Sequence, residues 1–153
     1  MTLKEHLQYI KLMIKRYGIV SGYFNPVHQG HIEYINAAKK DCDYLIAIIN
    51  NDFQVELKKS KKFLDENHRK FIIENFKAVD EAIISIDNDK TQCETLKMLK
   101  AKLENNIVIF YNSGDRKNGN LVLAESVVCK EFGIVEKILD LPKIFSSSEL
   151  LKI

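Results

Sequence analysis

Two histidines stand three positions apart in a turn whose composition suits a polyphosphate site. The turn reads Gly22-Tyr23-Phe24-Asn25-Pro26-Val27-His28-Gln29-Gly30-His31. An apolar stretch at about residues 17–22 predicts a strand before it, and the apolar spacing over residues 29–40 predicts a helix after it. A helix start gathers backbone N–H groups and the positive end of the helix dipole. His28 and His31 can add side-chain donors to phosphate oxygens, and Gly30 lets a phosphate approach the backbone.

The same residues have a plainer interpretation. Two histidines at a helix start can be ordinary surface residues, and the tetrapeptide H-x-G-H also arises by chance. The flanking residues favour the functional interpretation, because Pro26 presets its own φ and restricts Asn25.

Size and composition narrow the class of protein. A chain of 153 residues fits one domain, and a formal net charge of +2 gives no electrostatic reason to expect a nucleic-acid partner. Three cysteines without C-x-x-C spacing argue against a disulfide framework or a zinc site, and they indicate a reduced, cytoplasmic protein. The apolar runs are too short for membrane insertion.

Alternating elements must position the histidine turn. The expected strands cover about residues 17–22, 43–50, 80–86, 106–111 and 134–139. The expected helices cover about residues 29–40, 65–77, 90–104 and 120–131, and a short helix starts at Ser147. Apolar strands separated by helices predict an α/β fold, a Rossmann-like doubly wound five-stranded parallel sheet in a single domain. Ligands of such sheets bind beyond the carboxyl ends of the strands, where the histidine turn lies.

An extra N-terminal helix precedes this pattern. It is predicted over residues 2–16, which separates residues 1–16 from a domain of residues 17–153. Thr2 and Glu5 have the spacing of a capping box. Its apolar stripe needs a partner, either the sheet or another subunit in a homodimer.

Lysines cluster after the second strand. The segment Lys58-Lys59-Ser60-Lys61-Lys62 holds four of them. Such a run is commonly a solvated surface, and the other interpretation is a mobile basic lid over a triphosphate, with lysines as point charges on phosphate. On the next helix, Arg69 either reaches a phosphate or pairs with a carboxylate.

Two later segments are also candidates. After the fourth strand, Asp115 could contact a ribose hydroxyl, a metal-bound water or the acceptor, and Arg116 the acceptor's phosphate. A plain turn with Asp115 and Arg116 paired is the alternative. Near the end, Ser146, Ser147 and Ser148 open a helix, either as ordinary caps or as phosphate ligands.

Other phosphate-binding and hydrolytic signatures are missing from the sequence. It has no G-x-x-x-x-G-K-[ST], no G-x-G-x-x-G and no G-x-S-x-G.

Taken together, the segments resemble the cytidylyltransferase-like nucleotidyltransferase superfamily, from about residue 17 to residue 152. The motifs that carry the resemblance are G-x-F-[DN]-x-x-H-x-G-H at residues 22–31, the basic segment at residues 58–62, Arg69 with Val79-Asp80-Glu81, Gly114-Asp115-Arg116, and Ser146-Ser147-Ser148. The resemblance looks closest to glycerol-3-phosphate cytidylyltransferases and to the heptose-phosphate adenylyltransferases of lipopolysaccharide synthesis.

The resemblance implies transfer of CMP or AMP from CTP or ATP to a small phosphorylated acceptor, a sugar phosphate or polyol phosphate, with release of pyrophosphate. Mg²⁺ is expected on the nucleotide phosphates, with few protein ligands. The implied catalytic residues are His28, His31, Lys58 and Lys61. The implied nucleotide-binding residues are Gly22, Tyr23, Phe24, Asn25, Gly30, Gly114, Asp115, Ser146, Ser147 and Ser148. The implied acceptor-binding residues are Arg69, Lys77 and Arg116.

Departures from the family pattern leave alternatives open. Asn25 replaces an aspartate of the glycerol-phosphate and heptose branches, and Lys77 stands where some members carry arginine. A nicotinate- or nicotinamide-mononucleotide adenylyltransferase, a nucleotide-binding domain without turnover and a fragment related to class I aminoacyl-tRNA synthetases are the alternatives.

Overall fold

A twisted sheet of parallel strands forms the centre of this computed structural model, which describes residues 1–113 and 123–141. The strands are β1 (Arg16–Gly22), β2 (Tyr44–Ile49), β3 (Glu81–Ile84), β4 (Ile107–Ser113) and β5 (Val135–Leu139). The helices are α1 (Leu3–Met13), α2 (Gln29–Lys40), α3 (Asp52–Leu57), α4 (Glu66–Glu74), α5 (Cys93–Lys102) and α6 (Leu123–Phe132). The strand order is β3-β2-β1-β4-β5 with every pair parallel, which confirms the predicted Rossmann-like α/β fold.

Helices cover both faces of the sheet. On one face, Val20, Leu45 and Ile49 pack with Ile35 of α2 and Ile73 of α4. On the opposite face, Ile19, Ile46 and Phe110 pack with Leu96 of α5 and Val128 of α6. Because both faces are buried, β2 is apolar at every position from Leu45 to Ile49, which explains the continuous apolar run of this strand.

Strand order explains where the histidine turn lies. The chain runs from β1 outward through β2 and β3, then returns to pair β4 with the free side of β1. The order therefore reverses beside β1, and ligands of open α/β sheets bind at such a point, beyond the carboxyl ends of the strands. The turn from Tyr23 to His28 follows the carboxyl end of β1.

One helix was missed by the sequence analysis. The segment after β2 does not enter a loop at once but forms α3, so the lysine segment begins at the end of this helix. Asn51 caps α3 by accepting from the backbone N–H of Gln54 (2.8 Å), and the Gln54 side chain accepts from the Asn51 N–H (2.9 Å). This reciprocal pair is a capping box, and its Asn-x-x-Gln spacing was visible in the sequence.

The N-terminal helix is shorter than predicted and ends at Met13. Thr2 caps it by accepting from the Glu5 N–H (3.1 Å). None of its residues is buried, and Leu3, Leu7 and Leu12 are 76%, 58% and 72% exposed. Within the described ranges, the sheet therefore does not cover the apolar stripe. Across the same ranges, the helices fall short of the length and apolar character that a membrane span requires.

Candidate active site

The two histidines are bound to the start of α2 through one nitrogen each. The backbone N–H of Gly30 donates to Nδ1 of His28 (3.0 Å), and the backbone N–H of His28 donates to Nδ1 of His31 (3.2 Å). The two rings stack with centroids 3.9 Å apart and planes at 23°. This reciprocal capping fixes both rings relative to the first turn of the helix.

Hydrogen bonding decides which nitrogen carries the proton. An Nδ1 atom that accepts a bond carries no proton, so the N–H of each neutral ring is on Nε2. His28 and His31 therefore present two adjacent N–H donors. The backbone N–H of His31 is also used, since it donates to the His28 carbonyl (3.0 Å). The sequence analysis expected these backbone groups to be free for phosphate, and this part was wrong for His28, Gly30 and His31.

The pKa of His31 is lowered from 6.5 to about 3. Burial of the ring is the largest cause, followed by the neighbouring His28 and the positive charge of Lys58. His31 is therefore a neutral hydrogen-bond donor at physiological pH. The effect of Lys58 shows that the lysine segment and the histidine turn face one another.

Aromatic residues of the turn support the rings. Phe24 is 2% exposed, and its ring meets the edge of His31 with centroids 5.0 Å apart. Gly22 makes room for Phe24, because a Cβ at position 22 would lie 2.9 Å from the ring. Both residues were predicted to bind nucleotide; in the structure Phe24 packs against the His31 ring, and Gly22 makes room for Phe24.

The lysine segment lies against the same turn. The ammonium of Lys58 is 4.3 Å from the centroid of the Tyr23 ring, and burial lowers the pKa of this lysine. Lys62 pairs with Asp52 (3.5 Å). All four lysines of the segment are exposed, so these contacts are compatible with a solvated surface, and a role on a triphosphate stays a prediction.

Arg69 belongs to the framework and was wrongly assigned to acceptor binding. Its side chain is 1% exposed, and NH2 pairs with the Asp52 carboxylate (2.8 Å). The remaining guanidinium bonds reach three carbonyls, those of Tyr23 (2.7 Å), Asn50 (2.6 Å) and Leu64 (3.0 Å). The carboxylate pairing was the alternative that the sequence left open, and it leaves no face of the guanidinium for a substrate.

Lys77 was also wrongly assigned. It is exposed in the turn between α4 and β3, ahead of the amino end of that strand. The histidine turn follows the carboxyl end of β1, and all strands are parallel, so Lys77 lies at the opposite edge of the sheet. An acceptor near the imidazoles is out of its reach.

Six predicted site residues lie outside the described residues. They are Gly114, Asp115, Arg116, Ser146, Ser147 and Ser148.

A buried polar network beside the site was not predicted. The Asn51 side chain donates to the carbonyls of Ser85 and Asp87 (both 2.9 Å), which ties the start of α3 to the loop after β3. Asp87 in turn accepts from the backbone N–H groups of Glu94 (2.8 Å) and Thr95 (3.0 Å), at the start of α5. Each polar residue has an ordinary solvent-exposed interpretation in the sequence, so only their convergence in space identifies the network.

Metal ligands are scarce on the protein side. Among residues 1–113 and 123–141, no group of three or more His, Cys, Asp or Glu side chains could hold an ion. In the two imidazoles, Nδ1 is already bonded and Nε2 carries the proton, so neither nitrogen is available as a ligand. This donor set fits an ion carried by substrate phosphates.

The strand order and the histidine turn define an α/β fold with a candidate site at the carboxyl edge of a parallel sheet. Residues 19–141 match the cytidylyltransferase-like family, and the chain belongs to that family. It is a nucleotidyltransferase. The resemblance found in the sequence is confirmed.

Named relatives share much of the chain. A FAD synthase from Aciduliprofundum boonei is 29% identical over 132 residues, which are 86% of this chain and 81% of the relative. A FAD synthase from Thermoplasma volcanium is 28% identical over 125 residues, 82% of this chain and 81% of the relative. The crystal structure of a lipopolysaccharide core biosynthesis protein from Thermoplasma volcanium matches with a TM-score of 0.62 and 26% identity, covering 86% of this chain and 99% of that one.

The buried position of Arg69 predicts a large loss of stability on replacement. Arg69→Met should lower the free energy of unfolding by about 3 kcal/mol, because it leaves three carbonyls and Asp52 without their donor. The control is Lys70→Met, whose exposed pair with Glu74 (3.2 Å) is worth less than about 0.5 kcal/mol. Urea denaturation of both variants measures the difference, and equal losses would contradict the framework role.

The low pKa of His31 predicts a specific dependence of stability on pH. Between the folded value of about 3 and the unfolded value of 6.5, the unfolded chain binds a proton that the folded chain does not. The free energy of unfolding should therefore be highest above 6.5 and fall on acidification, by up to about 1.4 kcal/mol per pH unit. Urea denaturation from about pH 5 to about pH 8 should show a shallower slope for His31→Asn than for wild type. Identical slopes would show that His31 titrates normally.

Proposed function

We propose that this protein transfers AMP from ATP to flavin mononucleotide (FMN), forming FAD and pyrophosphate. The observation that carries the reaction type is the stacked histidine pair, which presents two N–H donors at the carboxyl end of β1. Support for the acceptor comes from the two relatives named FAD synthase. The sequence alone predicts a sugar phosphate or polyol phosphate as the acceptor and does not point to FMN.

The proposed chemistry is one in-line displacement. An oxygen of the FMN phosphate attacks the α-phosphorus of ATP, the bond between that phosphorus and the bridging oxygen of the β-phosphate breaks, and pyrophosphate leaves. Nε2–H groups of His28 and His31 donate to phosphate oxygens as negative charge grows on them. Lys58 and Lys61 add positive charge from the lysine segment. Positioning and charge stabilisation are what this reaction requires of a protein.

Magnesium is part of the proposal as an ion bound through the nucleotide phosphates. When bound there, it supplies charge neutralisation on the phosphate oxygens. The protein's own part is to orient both imidazoles, which the backbone bonds to Nδ1 achieve, and to hold His31 neutral by burial.

The remaining assignments stay predictions. Gly30 and Tyr23 are proposed beside the triphosphate, Gly114 and Asp115 beside the nucleoside, and Arg116 beside the acceptor. The serines at positions 146–148 are proposed as ligands of the terminal phosphates. A homodimer through the exposed stripe of α1 stays a prediction, which static light scattering tests. A cytoplasmic location and the absence of nucleic-acid partners also stay predictions.

A substrate panel tests the proposal. The purified chain is mixed with Mg²⁺, with ATP or CTP, and with FMN, glycerol 3-phosphate, a heptose phosphate or nicotinamide mononucleotide, and pyrophosphate is measured. We expect release with ATP and FMN, together with FAD. His31→Ala should lower kcat about 10²–10³-fold, because it removes a donor to developing charge. His6→Ala, an exposed histidine on α1, is the matched control.

Each other outcome has a distinct meaning. Turnover with CTP or with another acceptor would keep the enzyme class and overturn ATP or FMN as the substrate. If no pyrophosphate is released with any of the acceptors, the result would favour a nucleotide-binding domain without turnover. Wild-type turnover in His31→Ala would overturn the proposed role of the histidine pair.

A further inference from the structure

The side-chain amide of Asn25 holds the lysine segment from inside the protein. Its Nδ2 group donates to the carbonyl of Lys61 (2.7 Å), and its Oδ1 accepts from the backbone N–H of Phe63 (2.9 Å). Asn25 is 3% exposed, so these bonds lie away from bulk water, where their electrostatic strength is greater. One side chain thus fixes two backbone groups of the segment that carries the lysines.

Further contacts attach both ends of the segment. Lys58 lies over the ring of Tyr23, and Lys62 pairs with Asp52. Tyr23 and Asn25 belong to the turn that also presents the imidazoles. The lysine segment and the histidines are therefore held by the same few residues after β1, and the segment is anchored rather than a freely mobile lid.

An amide satisfies both backbone partners of residue 25 at any pH, whereas an ionised carboxylate does not. The carbonyl of Lys61 needs a donor and the N–H of Phe63 needs an acceptor, and asparagine provides one of each. An ionised aspartate provides acceptors alone, so a negative oxygen would face the Lys61 carbonyl. A protonated aspartate carries an O–H and could replace the amide. Aspartate at this position would therefore hold the segment only in its protonated form.

We propose that Asn25 is a positioning residue: through the backbone of the lysine segment it holds Lys58 and Lys61 beside the triphosphate, without touching a substrate itself. This rests on the proposed function, which supplies the triphosphate. Charges that are already in place need no reorganisation when the reaction occurs, so the tether contributes to the rate. The direct nucleotide contact expected of Asn25 is replaced by this indirect role.

Charged groups on three sides set the pH range of the test. They are Lys58, Lys61 and Lys62 of the lysine segment, His28 and His31 at the start of α2, Arg69 of α4, and Asp52 of α3. Burial raises the pKa of a carboxyl group at position 25, and the cations lower it. The measured quantity is therefore the ratio of variant to wild type, which cancels the titration of the lysines and imidazoles.

The decisive variant is Asn25→Asp, an isosteric change. At about pH 8 its kcat/KM for ATP should be about 10- to 100-fold below wild type, because a buried carbonyl loses its donor. The ratio to wild type should rise towards one on acidification, as the carboxyl regains its proton. Asn36→Asp, an exposed asparagine on α2, is the matched control and should keep a constant ratio.

Hydrogen exchange of the Phe63 amide gives a reading that is independent of turnover. In wild type this amide should be protected, and the Lys59–Phe63 amides as a group should lose protection in Asn25→Asp at high pH and regain it on acidification. If the wild-type protein converts none of the acceptors, the proposed function fails. Hydrogen exchange of the Phe63 amide still tests whether Asn25 holds the lysine segment. If Asn25→Asp does not fold at high pH, protection of the Phe63 amide in the wild-type protein decides whether Asn25 holds the segment.

Three results would overturn the positioning role. One is an Asn25→Asp variant as active as wild type at about pH 8. Another is a loss of activity that is equal at every pH with exchange unchanged, which indicates direct substrate contact. The third is rapid exchange of the Phe63 amide in wild type.

Discussion

Two hydrogen bonds from backbone N–H groups to imidazole nitrogens determine the chemistry of this site. They consume the donors that a helix start normally offers to a phosphate, and they transfer the donor role to Nε2 of His28 and His31. Burial, the neighbouring His28 and the charge of Lys58 lower the pKa of His31 to about 3, which keeps this ring neutral. In the proposed reaction, the pair would therefore meet anionic oxygens with oriented N–H dipoles at the positive end of α2.

Buried polar side chains keep that arrangement in place. Arg69 binds the carbonyl of Tyr23 after β1, the carbonyl of Asn50 after β2 and the carboxylate of Asp52 in α3. Asn25 connects the same turn to the lysine segment. These bonds link the ends of β1 and β2, the start of α3 and the lysine segment to one another, as a site built on several loops requires.

The proposed reaction explains why the site uses few protein groups. In the proposed reaction, ATP and FMN both bring negative charge, and Mg²⁺ is expected on the nucleotide phosphates. A parallel sheet with a strand-order reversal beside β1, a helix start and a lysine segment suffices as a scaffold for such a reaction.

The sequence by itself determined the local and periodic features. Apolar runs predicted the five strands of the described residues, and the spacing from Gln29 to Lys40 predicted α2 to the residue, because period and caps depend on neighbouring positions. The histidine pair was predictable for the same reason. The fate of Arg69, Asn25 and Lys77 was not. The burial of Arg69 depends on Tyr23, 46 positions away, and the two bonds of Asn25 depend on Lys61 and Phe63, 36 and 38 positions away. The place of Lys77 depends on strand order. Only tertiary packing brings such residues together or separates them.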